Sequence, residues 1–216
     1  MDPLHYCIMV TPLAVYLCYI GMLNLKSRPF ITTGARDTAG LGIGLAGYMI
    51  SGPIMLFFPE SAASHFGGWV WLMLIVFYGL LVSLLVLMMR PRLVIYNMTS
   101  EQLRPILTSV ARKLDPKSRW AGNSLLIPAK NIHLHLEPVN WLKNIQLTSG
   151  GNQQSFDGWR ELEAALEEEL KEYVSTASLF GFPLLIVAAS LAVTALIWMV
   201  ADREAVATAW EELRRY

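Results

Sequence analysis

The chain has 216 residues, 54% of them hydrophobic and only 16% charged, where an ordinary soluble domain carries about 25% charged residues. Seventeen Lys and Arg balance seventeen Asp and Glu, so no net field draws the protein to nucleic acid. No basic run of the kind that tracks a phosphate backbone is present either.

Taken from the N-terminus, the first apolar stretch is residues 7–25, CIMVTPLAVYLCYIGMLNL. It is long enough to cross a bilayer as a helix, which needs about 20 residues. The preceding MDPLHY offers Asp2 and His5 but no Lys or Arg, so the stretch reads as a retained span, not a cleaved leader. Both cysteines, Cys7 and Cys18, lie within it. On a helix they stand about 16 Å apart along the axis, too far to bridge, and read as buried thiols.

A loop with Lys26, Arg28 and Arg36 against Asp37 leads to a second apolar stretch, residues 39–59. Gly40, Gly44, Gly47 and Ser51 fall on one stripe of that helix, and small residues let backbones approach closely in lipid. Helix packing within the chain is the plain reading of the stripe, and a self-association face the sharper one. After a loop with Glu60 and no Lys or Arg comes the third stretch, residues 69–89, followed at once by Arg90 and Arg92.

From residue 91 the pattern changes. RLVIYN reads as a buried strand. MTSEQLRPILTSVARKLDP reads as a helix with Thr99 and Gln102 in a capping box and Leu103, Ile106, Leu107, Val110 and Leu114 at helical spacing. Short strands follow, divided by Gly122-Asn123 and by Ala129-Lys130-Asn131 as turns. FDGWRELEAALEEELKEYV closes the region as a helix, with Trp159, Leu162, Leu166, Leu170 and Tyr173 inward, Asp157 as its expected N-cap and Glu167–Lys171 as an i,i+4 pair. The order strand–helix–antiparallel strands–helix predicts an α+β domain over residues 91–175, about 85 residues and large enough to fold by itself.

The fourth apolar stretch is residues 177–201, with Ala188, Ala192 and Ala195 as a second small-residue stripe. The tail ADREAVATAWEELRRY places Val206, Trp210 and Leu213 on one helical side, as an interfacial helix would. The fold class expected is therefore a membrane protein: an all-α four-helix transmembrane bundle with an inserted cytoplasmic α+β domain. Residues 1–90 hold three spans (7–25, 39–59 and 69–89), residues 91–175 the domain, and residues 176–216 the fourth span and outer tail. Lys and Arg flank the first loop and the domain, which puts both on the inner side and both termini outside.

None of the four stretches contains Asp, Glu, Lys, Arg or His, so a lone proton-coupled transporter or ion pump is disfavoured. Tyr16, Tyr19, Tyr48 and Tyr78 are expected to find hydroxyl partners across helices. In the domain, NIHLHLEPVN sets His133, His135 and Glu137 on one side of a strand. That pattern is the wet side of an ordinary strand, or the start of a metal site lacking further ligands. Trp120 and Trp141 read as core filling or as aromatic anchors for a partner. No catalytic set and no cofactor-binding fingerprint is legible: Gly150-Gly151 lacks the residues of a phosphate loop. The layout resembles that of many bacterial membrane proteins and no motif ties it to a particular family. The function expected is a non-enzymatic scaffold or regulatory protein of the cell membrane. Its partners would be the lipid bilayer and a protein, or a second copy of the chain, with no nucleic acid. The alternatives are a membrane enzyme or transport component for a lipid-like substrate, and a metal-responsive domain using His133 and His135.

Overall fold

The computed structural model describes residues 3–54, 65–67, 69–139, 143–151, 154–175 and 178–215. In chain order its helices and strands are α1 (Pro3–Leu25), β1 (Phe30–Thr33), α2 (Gly34–Met49), α3 (Trp69–Met88), β2 (Arg92–Tyr96), α4 (Ser100–Leu114), β3 (Arg119–Ala121), β4 (Ser124–Ile127), β5 (Ile132–Val139), β6 (Asn144–Ser149), α5 (Phe156–Lys171), α6 (Gly181–Ala201) and α7 (Arg203–Arg215). They fall into two compact units, Met1–Gly21 with Ala39–Leu87 and Pro183–Tyr216, and Met22–Thr38 with Met88–Phe182.

The first unit is helical. α1, α3 and α6 are each long and apolar enough to cross a membrane. Along α3, Phe77 is 68% exposed, Leu80 64% and Leu87 82%. A continuous apolar surface of this kind is unstable in water and at home in lipid. The second expected span is seen only in part. Its helix begins earlier, at Gly34, and after Met49 continues as a π turn over Ile50–Ile54; residues 55–59 lie outside the described residues.

The glycine stripe of α2 faces α1. Pro12 lies inside α1 and has no N–H to give the Ile8 carbonyl. Gly47 packs against that oxygen: a Cβ there would meet Ile8 O at 2.3 Å and Met9 O at 2.5 Å. A Cβ at Gly44 would lie 2.9 Å from Tyr16 Cβ, and one at Gly40 3.5 Å from the Tyr16 ring. Ser51 Oγ completes the row, donating to the His5 carbonyl at 3.2 Å. On another side of α2, the Tyr78 hydroxyl of α3 donates to the Gly42 carbonyl at 2.6 Å. α6 joins α1 through Tyr6, whose hydroxyl lies 3.2 Å from Thr194 Oγ1 and whose ring lies 5.3 Å from that of Trp198. Asp202 ends α6 and caps α7, accepting the Ala205 N–H at 3.2 Å. Along α7 it is Ala209 that is buried, while Trp210 is 57% exposed. The side chain of Leu213 lies outside the described residues.

The second unit is an antiparallel sheet of six strands in the order β1-β2-β6-β5-β4-β3. α4 and α5 cover one face and bury Leu93, Ile95, Leu125, Leu134 and Leu147 against Leu103, Leu107, Leu162 and Leu166. Strand β1 is the departure from the sequence reading: FITT, in what reads as the first loop, pairs with β2 from Phe30↔Tyr96 to Thr33↔Leu93. The unit therefore extends beyond residues 91–175. Two local expectations are met in detail. The Gln102 half of the capping box forms, with the Thr99 N–H donating to Gln102 Oε1 at 3.1 Å. Gly122 sits at φ +62 in the β3–β4 turn, a backbone conformation that favours glycine. One is corrected: Ser155, not Asp157, caps α5, its Oγ accepting the Gly158 N–H at 3.1 Å, which leaves Asp157 in the first turn, where an acid still suits the helix dipole.

A buried polar knot ties three passes of the chain together in this unit. Asn97, fully buried and left-handed at φ 61, donates through Nδ2 to the carbonyls of Leu23 at 2.6 Å and Lys26 at 3.0 Å. Both carbonyls lie where α1 ends, and that of Leu23 also accepts the Lys26 N–H at 3.3 Å. Ser175 donates to the Asn97 carbonyl through Oγ and to the Ser27 carbonyl through its N–H, the latter at 2.9 Å.

Candidate functional site

The sheet has one covered face and one partly open one. Alternation along each strand sends Leu93 and Ile95, or Ile132, Leu134 and Leu136, into the core and turns their neighbours the other way. On that second face the β2 residues Val94 and Tyr96 are buried. Across β5 and β3 the face is open: His133, His135, Glu137, Arg119 and Ala121 are exposed. Pairing aligns Arg92, Thr148, His135 and Ser124 in one row across the strands.

Within this face the alternative metal set, His133, His135 and Glu137, does not converge. His133 and Glu137 lie four residues apart on an extended strand, about 13 Å, beyond the reach of one ion. Each side chain also has its own engagement. The Thr148 hydroxyl donates to Glu137 at 3.0 Å, and Ser124 Oγ lies 3.0 Å from His135 Nδ1. His133 packs beside Gly150, where a Cβ would meet its ring at 3.5 Å. Among the described residues no three His, Cys, Asp or Glu side chains gather as a metal site would require.

Trp120 is half-buried at the margin of the core. Its Nε1 donates to Thr108 Oγ1 at 2.9 Å, and the Arg104 guanidinium lies 4.8 Å from the ring centre while donating to the Gly122 carbonyl at 2.9 Å. The ring thus fastens α4 to the β3–β4 hairpin and keeps one edge at the surface. Trp141 lies outside the described residues.

Gln154 and Gly34 carry no sequence signal for the parts they play, whereas Asp115 falls in the DPK that ends its helix. Gln154 accepts the Trp159 Nε1–H at 2.9 Å and donates to the His133 and Gly150 carbonyls, both at 3.1 Å, so it sets the loop between β6 and α5. Gly34 makes room for Arg92, whose Cγ a Cβ would meet at 2.1 Å, and Arg92 in turn donates to Thr38 Oγ1 at 3.1 Å. Asp115 closes α4: its carboxylate accepts the backbone N–H groups of Ala129 and Lys117, both at 2.9 Å. These two bonds hold its carboxyl below the usual carboxylate range.

In the helical unit an apolar recess of about 570 Å³ lies between α1 and α6, lined by Cys7, Thr11, Cys18, Ala188, Ala192 and Ala195 among others. Both cysteines are free thiols. The recess follows from the alanine stripe, whose small side chains leave the groove unfilled. The four tyrosines have separate places: Tyr78 finds its partner on α2, Tyr16 packs on the glycine stripe, and Tyr19 and Tyr48 are exposed.

The chain matches no protein-family model, no curated protein and no solved structure.

Proposed function

We propose that the chain is a multi-pass membrane protein with four spans, both termini outside and the sheet unit at the cytoplasmic surface. There it acts as a non-enzymatic scaffold or regulator that docks a protein partner or a second copy of itself. Support for the fourth span comes from the uncharged helical run of α2 and its π turn from residue 39 to 54, about 24 Å long at 1.5 Å per residue. Support for the orientation comes from the basic residues of the first loop and of Arg90 and Arg92. The observation that carries the docking role is the open sheet face. It is broad, polar and already ordered by strand pairing, with Arg119, His133, His135 and Glu137 exposed on it. A preformed face of this kind needs little reorganisation to bind.

The test uses the full-length protein, because β1 belongs to the sheet unit. Capture from native membranes is compared between the wild type and an Arg119→Ala/His133→Ala/His135→Ala variant. Loss of the captured partner in the variant supports the role, and equal capture refutes it for this face. A reporter inserted at Gly151 must be found inside the cell.

A second reading is favoured by the recess between α1 and α6: a lipid-like molecule held in the helical unit as substrate or cargo. Ala192→Phe would fill the groove. Lipid that co-purifies with the wild type is then lost from the variant, and unchanged co-purification removes this reading.

A further inference from the structure

The two helices that cover the sheet carry opposite charge outward. On α5 the buried side runs through Trp159, Leu162, Leu166 and Leu170, so Asp157, Glu161, Glu168 and Glu172 lie on the opposite side, around Ala164. On α4 and the turn after it, Arg112 and Lys117 are exposed. Part of this charge is already paired within the chain, as Lys113–Glu169 and Lys130–Glu161. Glu168, Glu172, Arg112 and Lys117 make no ion pair among the described residues.

The acids are also placed against the local field. A helix C-terminus carries partial negative charge and favours cations. The last turn of α5 nevertheless holds Glu168 and Glu169, with Glu172 as its C-cap and Lys171 as the one basic residue there. Such a turn is stabilised by cations brought from outside it. α4, by contrast, ends on Arg112 and Lys113, as its dipole prefers, and has cationic charge to spare.

We infer that the α4–α5 face is a self-association surface on which the basic end of α4 in one copy meets the acidic end of α5 in a second, and the reverse. The inference rests on the docking role proposed above and selects its self-association branch. A two-fold axis along the seam between α4 and α5 gives this pairing, because it lays each helix over the other helix of the second copy. Every contact is made twice. Exposed ion pairs are individually weak, so the contact is salt-sensitive and depends on both chains being confined to one bilayer, which raises their effective concentration.

The experiment measures energy transfer between donor- and acceptor-labelled full-length chains in lipid vesicles. Wild-type association weakens as salt rises from low to high. Arg112→Glu/Lys117→Glu and Glu168→Lys/Glu172→Lys each weaken it about tenfold when present in both copies. Mixing the two variants restores it, because one copy is then acidic and the other basic over the whole face. Association that persists unchanged in both variants overturns this interface and leaves docking at the sheet face standing. Wild-type chains that stay monomeric at every density also overturn it, and the capture test on the sheet face then decides the docking role separately. Should a variant fail to fold, the wild-type salt titration decides alone: association indifferent to salt overturns the inference.

Discussion

Replacing Gly47 by alanine tests the packing of α1 on α2 at its tightest point. The added Cβ would lie 2.3 Å from Ile8 O and 2.5 Å from Met9 O, where an unstrained C···O contact is about 3.3–3.6 Å. Both obstacles are backbone atoms, so no rotamer change relieves the overlap, and the helices must separate by about 1 Å. Overpacking of this kind costs up to about 3 kcal/mol. Alanine recovers about 1 kcal/mol of helix propensity over glycine, which leaves a net loss of about 2 kcal/mol. For a chain of this size that lowers Tm by about 6 °C.

The assay is thermal unfolding of the full-length protein in one detergent, with two glycines as internal references. At Gly79 a Cβ meets nothing within 4 Å, and at Gly40 it meets the Tyr16 ring at an ordinary 3.5 Å. Gly79→Ala and Gly40→Ala therefore keep or raise Tm, whereas Gly47→Ala lowers it. Gly47→Ala melting level with Gly79→Ala would refute the close approach at Ile8 and, with it, the role assigned to Pro12.

Asn97→Ala leaves the Leu23 and Lys26 carbonyls without their side-chain donor in a buried site and costs about 3 kcal/mol, to be read as a fall in Tm with sheet content retained at low temperature. Tyr78→Phe removes one interhelical hydrogen bond within the apolar region and costs only about 0.6 kcal/mol, so a drop in Tm larger than that of Gly47→Ala would contradict it. Asp115 has its folded pKa depressed by two backbone N–H groups. Its contribution is present above the ordinary carboxylate pKa and is lost as pH falls through the lower, folded value. Asp115→Asn is therefore less stable at neutral pH and loses less on acidification, as paired Tm–pH curves would show. His133→Ala/His135→Ala leaves the metal content of purified protein unchanged, and a stoichiometric loss of metal would revive the histidine site.

Much of the second unit was legible because one residue pattern permits one arrangement. IHLHLE alternates strictly and forms a strand with that alternation; T-x-x-Q caps α4; Gly122-Asn123 turns the chain between β3 and β4. The polar set on β5 was legible as a face but not as a site, since strand spacing alone separates His133 from Glu137. The small-residue stripe was legible too, and its contacts lie within the chain, on Tyr16, Ile8 and Met9. What stayed hidden were pairings between residues far apart in sequence. Tyr6 meets Thr194 and Trp198 across α1 and α6, and Gln154 works through two backbone carbonyls, the His133 N–H and an indole N–H. Neither leaves a periodic trace.

The strand FITT shows why a loop reading fails at this length. Four residues bounded by Arg28-Pro29 and Gly34 are too few for an alternation to be recognised, and the apolar pair Phe30-Ile31 followed by two threonines has no marked face. Its partner decides the matter. β2 is buried along most of its length, and with only β6 beside it, one edge of N–H and C=O groups would be left unpaired in a buried strand. β1 satisfies that edge, and Arg36, just beyond it, bonds to Glu163 of α5 at 3.1 Å. The residues between the first two helices are therefore part of the sheet and of its helical cover, and the knot at Asn97 fixes the same segment at Leu23, Lys26 and Ser27. The unit is consequently stitched from two separated parts of the chain, Met22–Thr38 and Met88–Phe182. A fragment cut to residues 91–175 would expose the edge of β2 and lose the carbonyls that accept from Asn97 Nδ2. The open face that the docking role depends on is thus held in place by a segment that lies before the second and third helices.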